Sequence, residues 1–168
     1  MRRSFLRNPL LLAAVLVIAT SGRVSGQNSA NTSKAPISLT ITSPAASVKS
    51  GTVVFVEAAL KNESDHVYRV YTVSSEDMDQ GGWVYKVDVR DDKRRTPPET
   101  QYARTAIVPF SSAGALPLGP GKTRIDRINV SRLCDLSQPG KYTIQVRRFD
   151  WGSQSFVRSN EITVEVTP

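Results

Sequence analysis

The chain contains one histidine and one cysteine, so few of its residues could perform acid–base or nucleophilic chemistry. His66 lies in Asp65-His66-Val67, where a loop meets an expected strand, and a single histidine cannot build a multi-histidine metal site. A hydrolytic triad would also need an activated nucleophile beside His66, and the sequence contains no G-x-S-x-G motif. We therefore interpret His66 as a surface histidine.

The single thiol belongs to Cys134, which lies in Leu133-Cys134-Asp135-Leu136 among apolar neighbours. This setting indicates a buried thiol that packs as a small hydrophobic side chain rather than a nucleophile. With one cysteine no intrachain disulfide can form, so the fold must be stabilised by packing alone. An exposed Cys134 could still bridge two chains.

A short acidic loop offers weak candidate metal ligands. Glu76, Asp77 and Asp79 precede Gly81-Gly82, and hard cations such as Ca²⁺ need several such oxygens around one centre. The spacing lacks the remaining ligands and the terminal glutamate of an EF-hand loop, which favours a solvated acidic turn. The sequence also contains no HExxH, P-loop or GxGxxG motif. We therefore expect no metal, no cofactor and no enzymatic activity.

The segment RRFDWGSQSF is the best candidate for a binding surface. Two arginines, Arg147 and Arg148, lie beside three aromatic residues, Phe149, Trp151 and Phe156. Such side chains are favoured in binding surfaces because they bury a large area at a small entropic cost. The alternative is that the three aromatic residues close the end of the hydrophobic core. Because strand alternation directs Arg147 and Phe149 away from the core, we predict a protein-binding turn centred on Trp151.

The first 26 residues have the pattern of a signal peptide. A basic start, Met1–Arg7, precedes an apolar run, Pro9–Thr20, that is shorter than the roughly 20 residues of a membrane span. Small residues at Val24 and Gly26 predict cleavage after Gly26, and an uncleaved anchor is the less favoured alternative. Residues 2–7 (RRSFLR) also fit a twin-arginine signal, although we favour the general secretory route. The mature protein is expected to be secreted or periplasmic, with no membrane span.

Most of the positive charge belongs to this N-terminal segment. It carries four of the 22 Lys and Arg residues and none of the 15 Asp and Glu residues, so its removal lowers the net charge from +7 to about +3. So small a charge does not favour nucleic acid as a partner. Residues 27–36 read as a flexible polar leader, and residues 37–168 as one domain with room for a stabilising core.

From Ile37 onward, apolar residues recur with a period of two, which predicts an all-β fold of seven or eight antiparallel strands. The expected strands lie near residues 37–42, 54–61, 67–73, 83–90, 123–130, 142–147 and 162–166. A turn is expected at Val48–Gly51. The proline-rich segment Arg94–Pro120 is the least regular, with at most one short strand near Thr105–Phe110. A long segment of this kind in a compact domain is often functional.

The stretch LSQPGKYTIQV, Leu136–Val146, resembles the corner before the penultimate strand of immunoglobulin-like and fibronectin III-like domains. The resemblance implies that Tyr142, after the turn at Pro139 and Gly140, hydrogen-bonds to the upstream backbone. Ser159–Val166 similarly resembles their closing strand. The similarity covers about residues 37–168 and implies an antiparallel immunoglobulin-like β-sandwich, but it implies no particular function.

Two functions remain as hypotheses. The first is an exported, non-catalytic module that binds a protein or another component of the cell envelope. The alternative is a proteinase inhibitor, because the sequence also has a looser similarity to small bacterial inhibitor sandwiches. Such an inhibitor would present Arg94–Pro120 or Phe149–Phe156 to the proteinase. A glycosidase is not supported, since no spacing of carboxylates indicates an acid–base pair.

Overall fold

The computed structural model describes residues 36–72, 84–105 and 114–168, which contain nine strands, one short helix and one 3-10 turn. The strands are β1 (Ile37–Thr42), β2 (Ser47–Lys49), β3 (Phe55–Asn62), β4 (Tyr68–Thr72), β5 (Tyr85–Arg90), β6 (Gly114–Leu118), β7 (Thr123–Asn129), β8 (Gly140–Asp150) and β9 (Ser155–Thr167). The helix α1 is Gln101–Thr105, and the 3-10 turn is Val130–Arg132. The fold is therefore predominantly β, as the period of two predicts.

The described strands form three sheets. The first has the order β1-β3-β7, the second has the order β2-β9-β8-β5, and the third pairs β4 with β6. Neighbouring strands are antiparallel except β2 and β9, which run parallel. The pairing of β8 with β9 is interrupted by a register shift between Gln145 and Arg147.

The first two sheets contribute to one hydrophobic core. Successive side chains of a strand point to opposite faces, so a strand covered on one face buries every second residue. The two central strands follow this rule, with Val56, Ala58 and Leu60 buried on β3, and Tyr142, Ile144 and Val146 buried on β8. Removal of these apolar side chains from water is the main term that stabilises the fold.

Two asparagines satisfy backbone groups where strands end or meet. The Asn160 side chain accepts from the Ile41 amide at 2.8 Å and donates to the Ile41 carbonyl at 3.1 Å, which connects β9 to β1. Asn62 is fully buried, and its side-chain amide donates to the carbonyls of His66 and Leu118, each at 2.8 Å. Because a buried amide is costly unless it is hydrogen-bonded, these contacts fix the backbone that follows β3.

The N-terminal end of β8 is closed by the corner that the sequence predicts. Tyr142 is buried after the turn at Pro139 and Gly140, and its hydroxyl donates to the Gln138 carbonyl at 2.8 Å. Burial raises the pKa of Tyr142, so the hydroxyl keeps its proton and remains a donor over the usual pH range.

Three described segments differ from the sequence-based expectation. Val48 and Lys49, expected within a turn, belong to β2 because Ser47–Lys49 pairs with the end of β9. Gly114–Leu118, in the proline-rich segment, forms β6 beside β4. Thr105 ends α1 rather than starting a strand, and residues 106–110 of that expected strand lie outside the described residues. Pairing partners distant in the sequence decide β2 and β6, and local patterns do not contain that information.

The predicted signal peptide, residues 1–26, and nearly all of the leader also lie outside the described residues. Within the part of the chain that the structure describes, no helix is both long enough and apolar enough to cross a membrane.

Candidate functional site

The turn between β8 and β9, Trp151–Gln154, is organised by Asp150. The Asp150 carboxylate accepts hydrogen bonds from the Ser153 hydroxyl at 2.5 Å, the Ser153 amide at 3.0 Å and the Gly152 amide at 3.3 Å. Burial raises the pKa of Asp150, but the hydrogen bonds from Ser153 and Tyr68 outweigh it, and the pKa lies below its usual value. Asp150 is therefore ionised at neutral pH and fixes the backbone of the turn.

Tyr68 of β4 packs against the same turn. Its hydroxyl donates to the Asp150 carboxylate and lies 2.7 Å from each of the two oxygens. A Cβ atom added at Gly152 would lie 2.0 Å from that hydroxyl, so only glycine leaves room for this contact. The contact links β4 to the β8–β9 turn.

Arg148 is buried, which corrects the prediction that it belongs to an exposed binding surface. It is only 3% exposed, because the alternation of buried residues along β8 continues through Arg148 to Asp150. Its Nη2 donates to the Tyr71 carbonyl, and its guanidinium carbon lies 5.0 Å from the centre of the Tyr85 ring. Arg148 therefore connects β8 to β4 from inside the fold.

A second buried carboxylate lies near this cation. The Tyr85 hydroxyl donates to Asp126 Oδ2 at 2.7 Å, and Arg124 Nε lies 2.8 Å from Asp126 Oδ1. Burial raises the pKa of Tyr85 despite the opposing charge of Arg148, so its hydroxyl stays a donor. We call this set of inward-facing groups, of which Tyr68 is partly buried and the other four are buried, the buried polar frame: Tyr68, Tyr85, Asp126, Arg148 and Asp150.

Four aromatic side chains lie next to this frame and form the aromatic surface: Tyr71, Phe149, Trp151 and Phe156. The Phe149 ring lies 4.9 Å from the Trp151 ring and 5.2 Å from the Phe156 ring, and Tyr71 lies 6.2 Å from Trp151. All three pairs are edge-to-face, with interplanar angles of 82°, 70° and 65°. Trp151 is 58% exposed, Tyr71 46% and Phe156 43%, whereas Phe149 is half-buried between its neighbours.

Two cations border the aromatic surface. Lys86 Nζ lies 5.4 Å and the Arg147 guanidinium 5.6 Å from the centre of the Phe156 ring, within the range of cation–π attraction. Arg147 Nε also lies 3.1 Å from Asp88 Oδ2. The surface therefore combines exposed aromatic area with positive charge.

The predicted binding residues separate into two groups. Arg147, Phe149, Trp151 and Phe156 lie on one surface, and Arg148 lies beneath it. The alternative interpretation had the three aromatic residues closing the core. Trp151 and Phe156 are instead substantially exposed, and Phe149 is the one that is half-buried.

Tyr71 and Lys86 belong to the site but were not among the predicted residues. Each lies on a strand other than β8 and β9, and no local motif indicates that these strands meet at the turn. The available signal was weak: Tyr71 is an aromatic residue directly after the buried Val70, so it had to point away from the core.

The two residues with the greatest chemical reactivity lie elsewhere. His66 is exposed, and its Nδ1 lies 3.1 Å from Asp65 Oδ1. Cys134 is buried, and burial, together with the nearby charge of Glu99, raises the pKa of its thiol to about 11. The thiol is therefore protonated at neutral pH and a poor nucleophile.

The weak metal candidates Glu76, Asp77 and Asp79 lie outside the described residues. Among the residues that the structure does describe, no three His, Cys, Asp or Glu side chains cluster as they would around a metal ion.

No family model matches the chain, and no curated protein matches it.

Proposed function

We propose that this protein is an exported, non-catalytic protein-interaction module that binds its partner through the aromatic surface. The observation that carries the proposal is the exposure of Tyr71, Trp151 and Phe156 around one turn. Large apolar side chains that are contiguous and exposed are typical of interaction sites, because leaving them in water is unfavourable without a partner. Tyrosine and tryptophan are also enriched among the residues that contribute most to protein binding.

The buried polar frame supports this interpretation because it makes the surface rigid. Asp150 holds the turn through Gly152 and Ser153, while Arg148 holds the Tyr71 backbone. A surface fixed in this way loses little conformational freedom on binding, so more of the contact energy appears as affinity.

We further propose that the fold is an immunoglobulin-like β-sandwich. The orders β1-β3-β7 and β5-β8-β9 correspond to the A-B-E and C-F-G arrangements of constant-type immunoglobulin domains. The hydrogen bond from Tyr142 to Gln138 matches the tyrosine corner of that family. A fold of this kind hosts many functions, so the binding proposal rests on the site rather than on the fold.

The location outside the cytoplasm rests on the sequence of residues 1–26. Their basic start, short apolar run and small residues before Gln27 support a secreted or periplasmic protein. In such a compartment we propose a protein or an envelope component as the partner, and the modest net charge does not favour nucleic acid.

The test compares two exposed hydrophobic residues in different parts of the fold. Residues 27–168 are immobilised and exposed to the native envelope fraction, and each captured protein is purified for affinity measurement. Trp151→Ala should weaken binding by roughly 30-fold, the scale of an interface hot spot. Ile125→Ala, on β7, is the matched control because Ile125 is 63% exposed and lies outside the aromatic surface.

Equal capture of a partner by the wild-type chain and by Trp151→Ala would contradict the proposal. The proposal would also be contradicted if no captured protein bound both the wild-type chain and Ile125→Ala. The inhibitor alternative is tested with the same proteins. It predicts that the wild-type chain inhibits a proteinase and that Trp151→Ala weakens inhibition if Phe149–Phe156 is the presented loop.

A further inference from the structure

Three cations lie side by side on the outer face of the second sheet. Lys86 of β5 is the register partner of Arg147 on β8, and Arg147 is the register partner of Arg158 on β9. Neighbouring strands are about 4.8 Å apart, so the three side chains form one row across the strands. We call Lys86, Arg147 and Arg158 the cationic row.

The cationic row is electrostatically unfavourable in the isolated chain. Like charges directly opposite each other on neighbouring strands destabilise a sheet. The charge of Arg147 is offset by Asp88, whose Oδ2 lies 3.1 Å from Arg147 Nε. Within residues 36–72, 84–105 and 114–168, the structure shows no ion pair for Lys86 or Arg158. Local arrangements that oppose stability are expected mainly at functional sites.

The cationic row borders the aromatic surface. Phe149 and Phe156 are register partners of each other, and each lies two residues beyond the row on the same face of its strand. On the side of the cationic row away from Phe149 and Phe156, a shallow cavity of about 310 Å³ is lined by Arg147, Arg158 and Glu161, among others. Aromatic area and excess positive charge therefore form one continuous face.

We propose that the aromatic surface and the cationic row together bind an acidic protein segment in which Asp or Glu residues adjoin an apolar side chain. The carboxylates would pair with Lys86 and Arg158, and the apolar side chain would contact Trp151 and Phe156. This inference rests on the proposed function and specifies the chemistry of the partner.

Ring geometry favours a protein segment over a sugar or a nucleic acid. Nucleic-acid bases bind by stacking on the faces of aromatic side chains, and sugar rings use the same faces. The three ring pairs here are edge-to-face at 65° to 82°, so the rings do not share one flat platform. Lys86 and Arg147 also approach the Phe156 ring. An apolar side chain of a protein ligand, packed among these rings beside a carboxylate of the same ligand that pairs with a cation, fits this arrangement better than a base or a sugar does.

The probe is a set of short random peptides displayed on phage and selected on residues 27–168. Selected peptides are synthesised together with versions in which every Asp and Glu is replaced by Asn and Gln. Acidic residues next to apolar ones should be enriched, and the amide versions should bind several-fold more weakly. Binding of the acidic peptides should also weaken as salt is raised, because salt screens exposed charges.

The matching variant is Lys86→Gln combined with Arg158→Gln. It should weaken binding of acidic peptides by about fivefold to tenfold, because two exposed ion pairs with the peptide carboxylates are lost. Its resistance to urea should be unchanged or slightly higher, because repulsion across the row is relieved. The control is Lys141→Gln, which lies on β8 opposite Glu165 and about 20 Å along the strand from Arg147. At that distance salt screens its charge, so binding should not change.

The outcomes separate this inference from the proposed function. If selection yields no peptide, or peptides without acidic enrichment that bind the double variant as well as the wild type, the inference is wrong. In the second case the proposed function survives as long as binding still requires Trp151. Acidic peptides that bind equally well to Trp151→Ala would contradict the proposed function and, with it, the contact that the inference assigns to Trp151. Preferential binding of an oligonucleotide or a polysaccharide would contradict both.

Discussion

The two ends of β8 are built differently. At the N-terminal end, Tyr142 and Ile144 extend the apolar core, and one hydroxyl closes the corner with a hydrogen bond to Gln138. At the C-terminal end, the same inward-facing positions hold Arg148 and Asp150. A buried apolar residue stabilises the fold directly, whereas a buried charge must first recover its cost of desolvation.

The difference indicates what each end contributes. Apolar residues at the positions of Arg148 and Asp150 would stabilise the strand at least as well, because buried charged groups must be desolvated and seldom contribute more stability than hydrophobic packing. The polar frame instead fixes Tyr71 and the turn, and it leaves Trp151 exposed beside them. We infer that the corner end mainly stabilises the fold and that the turn end mainly presents a surface.

The largest expected effect is on the buried cation. Arg148→Met should lower the free energy of unfolding by about 3 kcal/mol, because the Tyr71 carbonyl loses its charged donor and the Tyr85 ring loses the cation beside it. Urea unfolding measures the loss. Arg147→Met is the matched control, since Arg147 is the neighbouring residue on the opposite face, and it should cost less than about 1 kcal/mol. Equal losses of unfolding free energy in the two variants would show that burial does not make Arg148 more important to stability than Arg147 on the opposite face of β8.

The next effect concerns the close approach of Tyr68 to the turn. Gly152→Ala should cost about 2 kcal/mol, because the new Cβ displaces the Tyr68 hydroxyl from Asp150. In a Tyr68→Ala background the same change should cost much less, so the two changes form a non-additive cycle. Gly114→Ala is the control, since a Cβ there has no neighbour within 4 Å. Additive losses would contradict the contact.

A smaller effect is expected at the corner. Tyr142→Phe removes one buried hydrogen bond and should cost about 1 kcal/mol in a urea titration. It should leave partner capture unchanged, because Tyr142 lies at the opposite end of β8 from the aromatic surface. A variant as stable as the wild type would show that the hydrogen bond to Gln138 contributes nothing.

Much of the fold could be predicted because the period of two is regular along β3 and β8. The same rule, extended from Val146, places Arg148 inward, yet we assigned Arg148 to the binding surface from the composition of the segment RRFDWGSQSF. In β8 the strand period outweighs residue type, since Tyr71 and Tyr85 supply partners for the guanidinium. A sequence alone does not show whether such partners exist.

The rest of the site depends on which strands are neighbours. Tyr71, Lys86 and Arg158 join the β8 residues only through the placement of β4, β5 and β9. Register between strands is set by core packing and turn geometry, and these act between residues far apart in the sequence. The aromatic composition of the turn could therefore be recognised, whereas the cationic row could not.

The smallest expected effect on stability is that of Trp151→Ala. Truncation of a buried aromatic residue lowers the free energy of unfolding by about 3 kcal/mol or more, because apolar contacts are lost and a cavity remains. Trp151 is 58% exposed and meets Tyr71 and Phe149 in edge-to-face geometry, so truncation should change the free energy of unfolding by about 0.5 kcal/mol or less. Urea unfolding of Trp151→Ala and of Phe149→Ala checks this expectation. Truncation of the half-buried Phe149 should lower the free energy of unfolding by more than truncation of Trp151 does. A loss near 3 kcal/mol for Trp151→Ala would mean that the aromatic residues form a structural plug, and the two ends of β8 would then serve the same purpose.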